Sequence, residues 1–167
     1  MKKTAIALML ALLFIGCNSS DEVIKNVEPK LVVGNSLSGL TLNDQFETQH
    51  ILSPSTNKVV FAFAKEPAHV CNDFLNTKAP TYLKEHDAEF IADVSAAPSL
   101  IRSLFILPGL KDFKHTVLLL DDKNTAAPFR KNMDVEKIVV VFLKNNEITE
   151  VKTISTSEEL EKILTSP

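Results

Sequence analysis

Lys58-Val-Val-Phe-Ala-Phe-Ala64 (KVVFAFA) is an unbroken apolar run with β-branched and aromatic residues. It lacks the alternation of a half-exposed strand and reads as a strand buried on both faces. Glu89 to Val94 (EFIADV), His115 to Leu120 (HTVLLL) and Lys137 to Leu143 (KIVVVFL) repeat the pattern downstream. Helical stretches lie between them. Ala68 to Glu85 carries Val70, Phe74, Leu75 and Leu83 on one side. Pro80 is placed to kink or divide it, because proline has no N–H to donate. Ser95 is expected to cap a second helix, with Pro98 in its first turn and Leu100, Ile101, Leu104, Phe105 and Leu107 as its apolar set. Pro108-Gly109 ends that helix, and a short helical piece covers Ala126 to Arg130.

Hairpins flank this centre. Upstream, Leu37, Leu40 and Leu42, then His50-Ile51-Leu52, read as two short strands around the polar turn Asn43-Asp44-Gln45-Phe46. Downstream, Asn145-Asn146 turns the fourth long strand back into Glu147 to Ile154, since asparagine tolerates positive φ. Thr156-Ser157-Glu158-Glu159 is a capping box that opens a last helix through Leu164. Strands alternating with helices predict an α/β sandwich built on a mixed sheet.

The chain has 167 residues, enough for one ordinary domain with or without an appendage. A hydrophobic content of 45% with 23% charged residues excludes wholesale disorder. The net charge of −3 gives no basis for binding nucleic acid. Two cysteines cannot build a disulfide scaffold. With 4 glycines and no Gly-x-Gly-x-x-Gly, a dinucleotide site has no support. Gly34 and Gly39 share the outer spacing of a phosphate-binding loop, but Leu40-Thr41 stands after them where Lys-Ser/Thr is needed.

Lys2 and Lys3 precede the apolar run Ala5 to Ile15, and Gly16-Cys17 comes next. This is the layout of a secretory signal peptide, and the run is too short to span a bilayer, which takes about 20 residues. Leu13-Phe14-Ile15-Gly16-Cys17 resembles the lipobox of bacterial lipoproteins, with Phe14 where Leu, Val or Ile is usual. The alternative is an ordinary signal peptide with an incidental cysteine. The resemblance implies that Cys17 is lipidated (the palmitate type of modification) and becomes the first residue of the mature chain, with the membrane as its partner. Asn18, rather than Asp, implies outer-membrane sorting by resemblance to enterobacterial lipoproteins. The expected organisation is therefore a leader over 1–16, a lipidated cysteine and polar tether over 17–30, and a domain over 31–167. Loss of Lys2 and Lys3 takes the side-chain charge from −3 to −5. Cys71 is then the one free thiol of an envelope protein facing the periplasm.

Three stretches together resemble the thioredoxin-like fold, in its peroxiredoxin and membrane-anchored thioredoxin branches. They are Gly34 to Gln45, Val59 to Phe63 with Cys71 beyond it, and Ile91 to Ser95 continuing through Asp121. The resemblance covers most of residues 31–165. It implies a three-layer sandwich, with a central mixed sheet, helices on both faces and an N-terminal β-hairpin extension. It also implies chemistry whose residues are mostly missing here. Thioredoxins carry two cysteines, two residues apart, at a helix N-terminus that lowers the first thiol's pKa. The matching stretch, Ala68-His69-Val70-Cys71, puts Ala68 at the nucleophile position. Peroxiredoxins place Thr three residues and Pro seven residues before the reactive cysteine. In that register Cys71 is the reactive residue, with Ala68 and Ala64 replacing Thr and Pro. The proline that precedes the late strand in those proteins is replaced by Asp134-Val135-Glu136-Lys137.

These residues support three functional readings. The first is a binding or assembly module without dithiol catalysis and without a cofactor, partnered by an envelope protein. The second is a single-thiol peroxidase or reductase in which His69 and Arg130 lower the pKa of Cys71. The third is a copper-handling module using His69, Cys71 and either His115 or Met133, because thiolate, imidazole and thioether suit Cu(I). Against the last two stands a buried, structural Cys71. Asp93, at a strand end, is the better-placed acid or a cap for the next helix. Asp121-Asp122 reads as a solvated turn, ahead of a helix cap or a Mg²⁺ pair, and His50 and His86 as exposed.

Overall fold

The computed structural model describes residues 27–166. The leader, Cys17 and most of the tether lie outside the described residues. KVVFA is strand β3 (Lys58–Ala62), buried at every position. The hairpin strands β1 (Thr41–Asp44) and β2 (Gln49–Ile51) precede it. Its neighbours are β4 (Ala88–Asp93), which runs parallel to it, and β6 (Ile138–Lys144), which runs antiparallel. With β5 (Leu118–Leu120) and β7 (Glu147–Ile154), the sheet has seven strands in the order β2-β1-β5-β4-β3-β6-β7. The N-terminal hairpin extends the sheet at one edge by pairing β1 antiparallel to β5.

Because successive side chains of a strand point to opposite faces, each central strand feeds two cores. Val60, Ala62, Phe90, Ala92 and Val140 point to one face, covered by α1 (Lys65–Asn76), α2 (Tyr82–Glu85) and α6 (Ser157–Thr165). Val59, Phe61, Ile91, Val139 and Val141 point to the other, covered by α5 (Lys123–Arg130) and the N-terminal stretch through Leu31 and Leu37. The result is three layers, and the apolar runs have no polar alternation because neither face meets water. Burying one such side chain contributes about 1.5–3 kcal/mol.

The boundaries differ from expectation in ways that have local causes. Helix α1 starts at Lys65 rather than Ala68 and stops at Asn76, and Pro80 sits in the gap before α2. His115, Thr116 and Val117 are outside β5. There the Gln45 side chain replaces a strand partner, donating to the His115 carbonyl at 2.8 Å and accepting from the Val117 N–H at 2.9 Å. Helix α5 begins at Lys123 because Asp122 caps it, its carboxylate accepting the Thr125 N–H. The Asp121-Asp122 turn is thus in part a helix cap. Asn145 and Asn146 have φ of 54° and 64°, as a two-residue hairpin turn requires.

The second helix departs most. It runs as α3 (Ser99–Ile101), a π-helical turn (Arg102–Ile106) and α4 (Leu107–Leu110), and it starts after Pro98 rather than at Ser95. The Leu107 N–H reaches back five residues to the Arg102 carbonyl. Pro108 has no N–H to offer Leu104, so the regular ladder is broken there in any case. The extra residue in that turn rotates the helix beyond it. Ile106, Leu107 and Leu110 pack on the core, while Leu100, Ile101, Leu104 and Phe105, the rest of the expected apolar set, are exposed.

Candidate functional site

The buried strand β3 leads straight into α1, so the first turn of α1 sits at the carboxyl end of the central strands, where sites form in α/β sheets. Four residues occupy that turn: Lys65 and Glu66 are exposed, Pro67 is buried and Ala68 is half-buried. Ala64 precedes them in an extended conformation and supplies no side-chain cap. The free N–H groups of the turn thus face no thiol, hydroxyl or imidazole of their own segment.

Cys71 is the seventh residue of α1 and lies a full turn beyond that end. It is fully buried in the core with Val60, Ala62, Phe74 and Phe90. Burial in this apolar setting pushes the thiol far above its ordinary pKa, so the reactive thiolate is suppressed at neutral pH. His69 is exposed. Two residues along an α-helix are about 200° apart, so His69 faces away from Cys71.

Arg130 is engaged elsewhere. Its guanidinium donates to Asp93 Oδ2 at 3.0 Å, and the Asp93 side chain has no solvent exposure. Along β4, Phe90 and Ala92 share the face of Cys71, whereas Ile91 points to the opposite face. By alternation Asp93 falls with Ile91, under α5 and across the sheet from the thiol. Its other oxygen accepts the Ser95 N–H at 2.8 Å. Asp93 therefore closes the turn after β4 and anchors the end of α5.

The proposed copper donors are likewise not assembled. Met133 packs on the core of the α5 face, Cys71 lies in the other core, and His69 is at the surface. Among the described residues, no group of three His, Cys, Asp or Glu side chains is placed to hold a metal. His115 is buried, and its Nε2–H donates to Asn72 Oδ1 at 2.9 Å. Nδ1 is left as an unpaired, unprotonated nitrogen. Burial pushes the His115 pKa down to about 4, so the ring is neutral at physiological pH. Phe113 stacks on it with ring centroids 5.2 Å apart. His50 is half-buried and pairs with Asp44 at 2.8 Å, and His86, also half-buried, lies edge-on to Tyr82.

The polar cluster of Gln45, Asn72 and His115 escapes sequence reasoning, since its members lie on a turn, a helix and a loop. The nearest sequence signal is Asn72, a polar residue beside Cys71 within the apolar face of α1.

No protein-family model and no curated protein matches the sequence. Solved structures do match. One is a protein described as the thiol:disulfide interchange protein DsbE of Chlorobium tepidum, at 15% identity and a TM-score of 0.52, covering 79% of this chain and 94% of that one. A second is the peroxidoxin BcpB of Mycobacterium tuberculosis, at 17% identity and a TM-score of 0.50, covering 79% and 93%. A third is the thioredoxin domain of a thiol-disulfide oxidoreductase of Bacteroides vulgatus, at 12% identity and a TM-score of 0.50, covering 81% and 99%. At such identities the likeness concerns architecture, and chemistry does not follow from it. The sheet order, the two helical layers and these matches together identify the domain as thioredoxin-like in fold.

Proposed function

We propose that this chain is a lipoprotein of the cell envelope, held on the periplasmic side of the outer membrane by lipid on Cys17. Its thioredoxin-like domain binds or assembles with an envelope protein and does not turn over thiols. One observation carries the functional half of this reading: Cys71 is sealed in the core, with its thiol pushed up in pKa, away from the first turn of α1. That turn itself offers no nucleophile. The anchor rests on the sequence Leu13 to Cys17.

The test uses the full chain carrying Cys17→Ser, in which Cys71 is the one remaining thiol. Alkylation of Cys71 is expected to be negligible in the folded protein at every pH that preserves the fold, and complete in denaturant. No insulin reduction or peroxide consumption that depends on Cys71 is expected. Fast labelling of the native protein with a near-neutral pKa would overturn this reading in favour of a single-thiol peroxidase or reductase. Fractionation of cells making the unaltered chain tests the anchor. Palmitate label and membrane association should both be lost in Cys17→Ser.

A further inference from the structure

The exposed side of α3 and the π-helical turn gathers four of the exposed large hydrophobic side chains of the described residues. Leu100 is 65% exposed, Ile101 44%, Leu104 57% and Phe105 66%, all within six consecutive residues. They are exposed because the π-helical turn assigns the core side of this segment to Ile106, Leu107 and Leu110. A contiguous apolar face of this kind marks a contact surface.

Charge and position indicate what covers it. Lys111 and Lys114 lie just beyond the face and are exposed, with one acid, Asp112, between them, while Arg102 is half-buried and donates to the Val94 carbonyl at 3.4 Å. Large apolar side chains beside exposed lysines suit an anionic lipid surface, where the hydrocarbon takes the one and the headgroups the other. The first described residues run along α5, whose N-terminal cap lies toward this segment. Arg102 acts electrostatically on Asp122, the cap of α5. Six residues along α5, about 9 Å of helix, the Pro128 carbonyl accepts the Lys30 N–H. Nine residues separate Cys17 from Val27, the first residue described, a reach of at most about 35 Å over ten Cα steps. That is close to the diameter of a domain this size, so a bilayer holding Cys17 stays within reach of the face at high effective concentration.

We propose that Leu100, Ile101, Leu104 and Phe105 form a second, reversible membrane contact, which lays this helical segment on anionic lipid beside the N-terminal anchor. The proposal builds on the lipoprotein reading, since the anchor brings the face to the bilayer, but its test reads the face itself. The chain has no tryptophan, so Phe105→Trp in the full chain supplies a single reporter. The protein is bound to phosphatidylglycerol–phosphatidylethanolamine vesicles containing brominated acyl chains. The introduced indole is expected to shift to the blue and lose most of its emission to bromine. Adding Leu104→Asp should restore solvent-like emission without loss of the fold. A tryptophan placed instead at Phe46, on the β1–β2 turn, should stay unquenched. Solvent-like emission from the Phe105→Trp reporter on vesicle-bound protein would overturn the proposal. So would a blue shift that bromine does not quench and that grows with protein concentration, which indicates that a second copy covers the face. Bromine quenching of the same reporter that persists in Cys17→Ser at high vesicle concentration supports the face independently. If Cys17→Ser also remains fully membrane-bound in cells, the anchor reading fails while the face stands.

Discussion

Asp93 does the work of two residues. One oxygen holds the Ser95 N–H and turns the chain out of β4, and the other receives Arg130 from the end of α5. Its side chain is fully buried and that of Arg130 is 25% exposed, so water does little to screen the pair. The net worth of such a pair is small, because both charges lose hydration. Breaking it from one side is another matter. Arg130→Met should leave a buried carboxylate without its cation and cost about 3 kcal/mol, read as a fall in the urea midpoint. Arg130→Lys should recover part of that loss. Both residues are conspicuous in the sequence, Asp93 at a strand end and Arg130 at a helix end. Nothing in the sequence joins them across 37 positions, and the single-thiol reading sets Arg130 beside Cys71 instead. Strand alternation decides the matter by placing the thiol and the acid on opposite faces of the sheet.

Elements written in local chemistry are the legible ones. The Thr156 hydroxyl accepts the Glu159 N–H, and the Glu159 carboxylate accepts the Thr156 N–H, as the Thr-x-x-Glu spacing predicts. Helix α6 buries Leu160 and Leu164 completely, so its entry angle matters to the core of the α1 face. Thr156→Ala should cost about 1 kcal/mol by removing one of two reciprocal cap bonds, measurable by denaturant unfolding. The Asn145-Asn146 turn and the break at Pro80 are readable for the same reason. Helix α3 and the turns after it show the limit. The apolar spacing of Leu100, Ile101, Leu104 and Phe105 marks a face, but spacing does not say what covers a face. A single wider turn, with its Leu107 to Arg102 bond, passes the core contact to Ile106, Leu107 and Leu110.

At the scale of the whole molecule, His115 joins pieces that are far apart in sequence. Its ring bonds Asn72 of α1 and stacks on Phe113, and its carbonyl receives Gln45 from the turn after β1. Its folded pKa of about 4 lies below the value of about 6.5 for an unfolded histidine. Between those values the unfolded chain binds more protons, so stability falls as pH falls from about 6.5 to about 4, by at most about 1.4 kcal/mol per unit. Below about 4 both states are protonated and the contribution is constant. His115→Phe should remove this slope while lowering stability at neutral pH, where the bond to Asn72 is lost. Urea unfolding of both proteins across that range checks it, and an unchanged slope would show that His115 is not the group responsible. By itself the sequence determined the α/β class, the mixed sheet, the order of strands and helices, the hairpin turns and the missing dithiol pair. All of these come from apolar periodicity, turn residues and cysteine count, which are properties of short stretches of chain. Only the tertiary structure decided that Cys71 is sealed in one core while Arg130 serves Asp93 across the sheet, that His69 and Met133 stand apart from the thiol, and that an apolar helical face is left open. Each depends on which side of the sheet or helix a side chain takes, and packing settles that across long sequence distances.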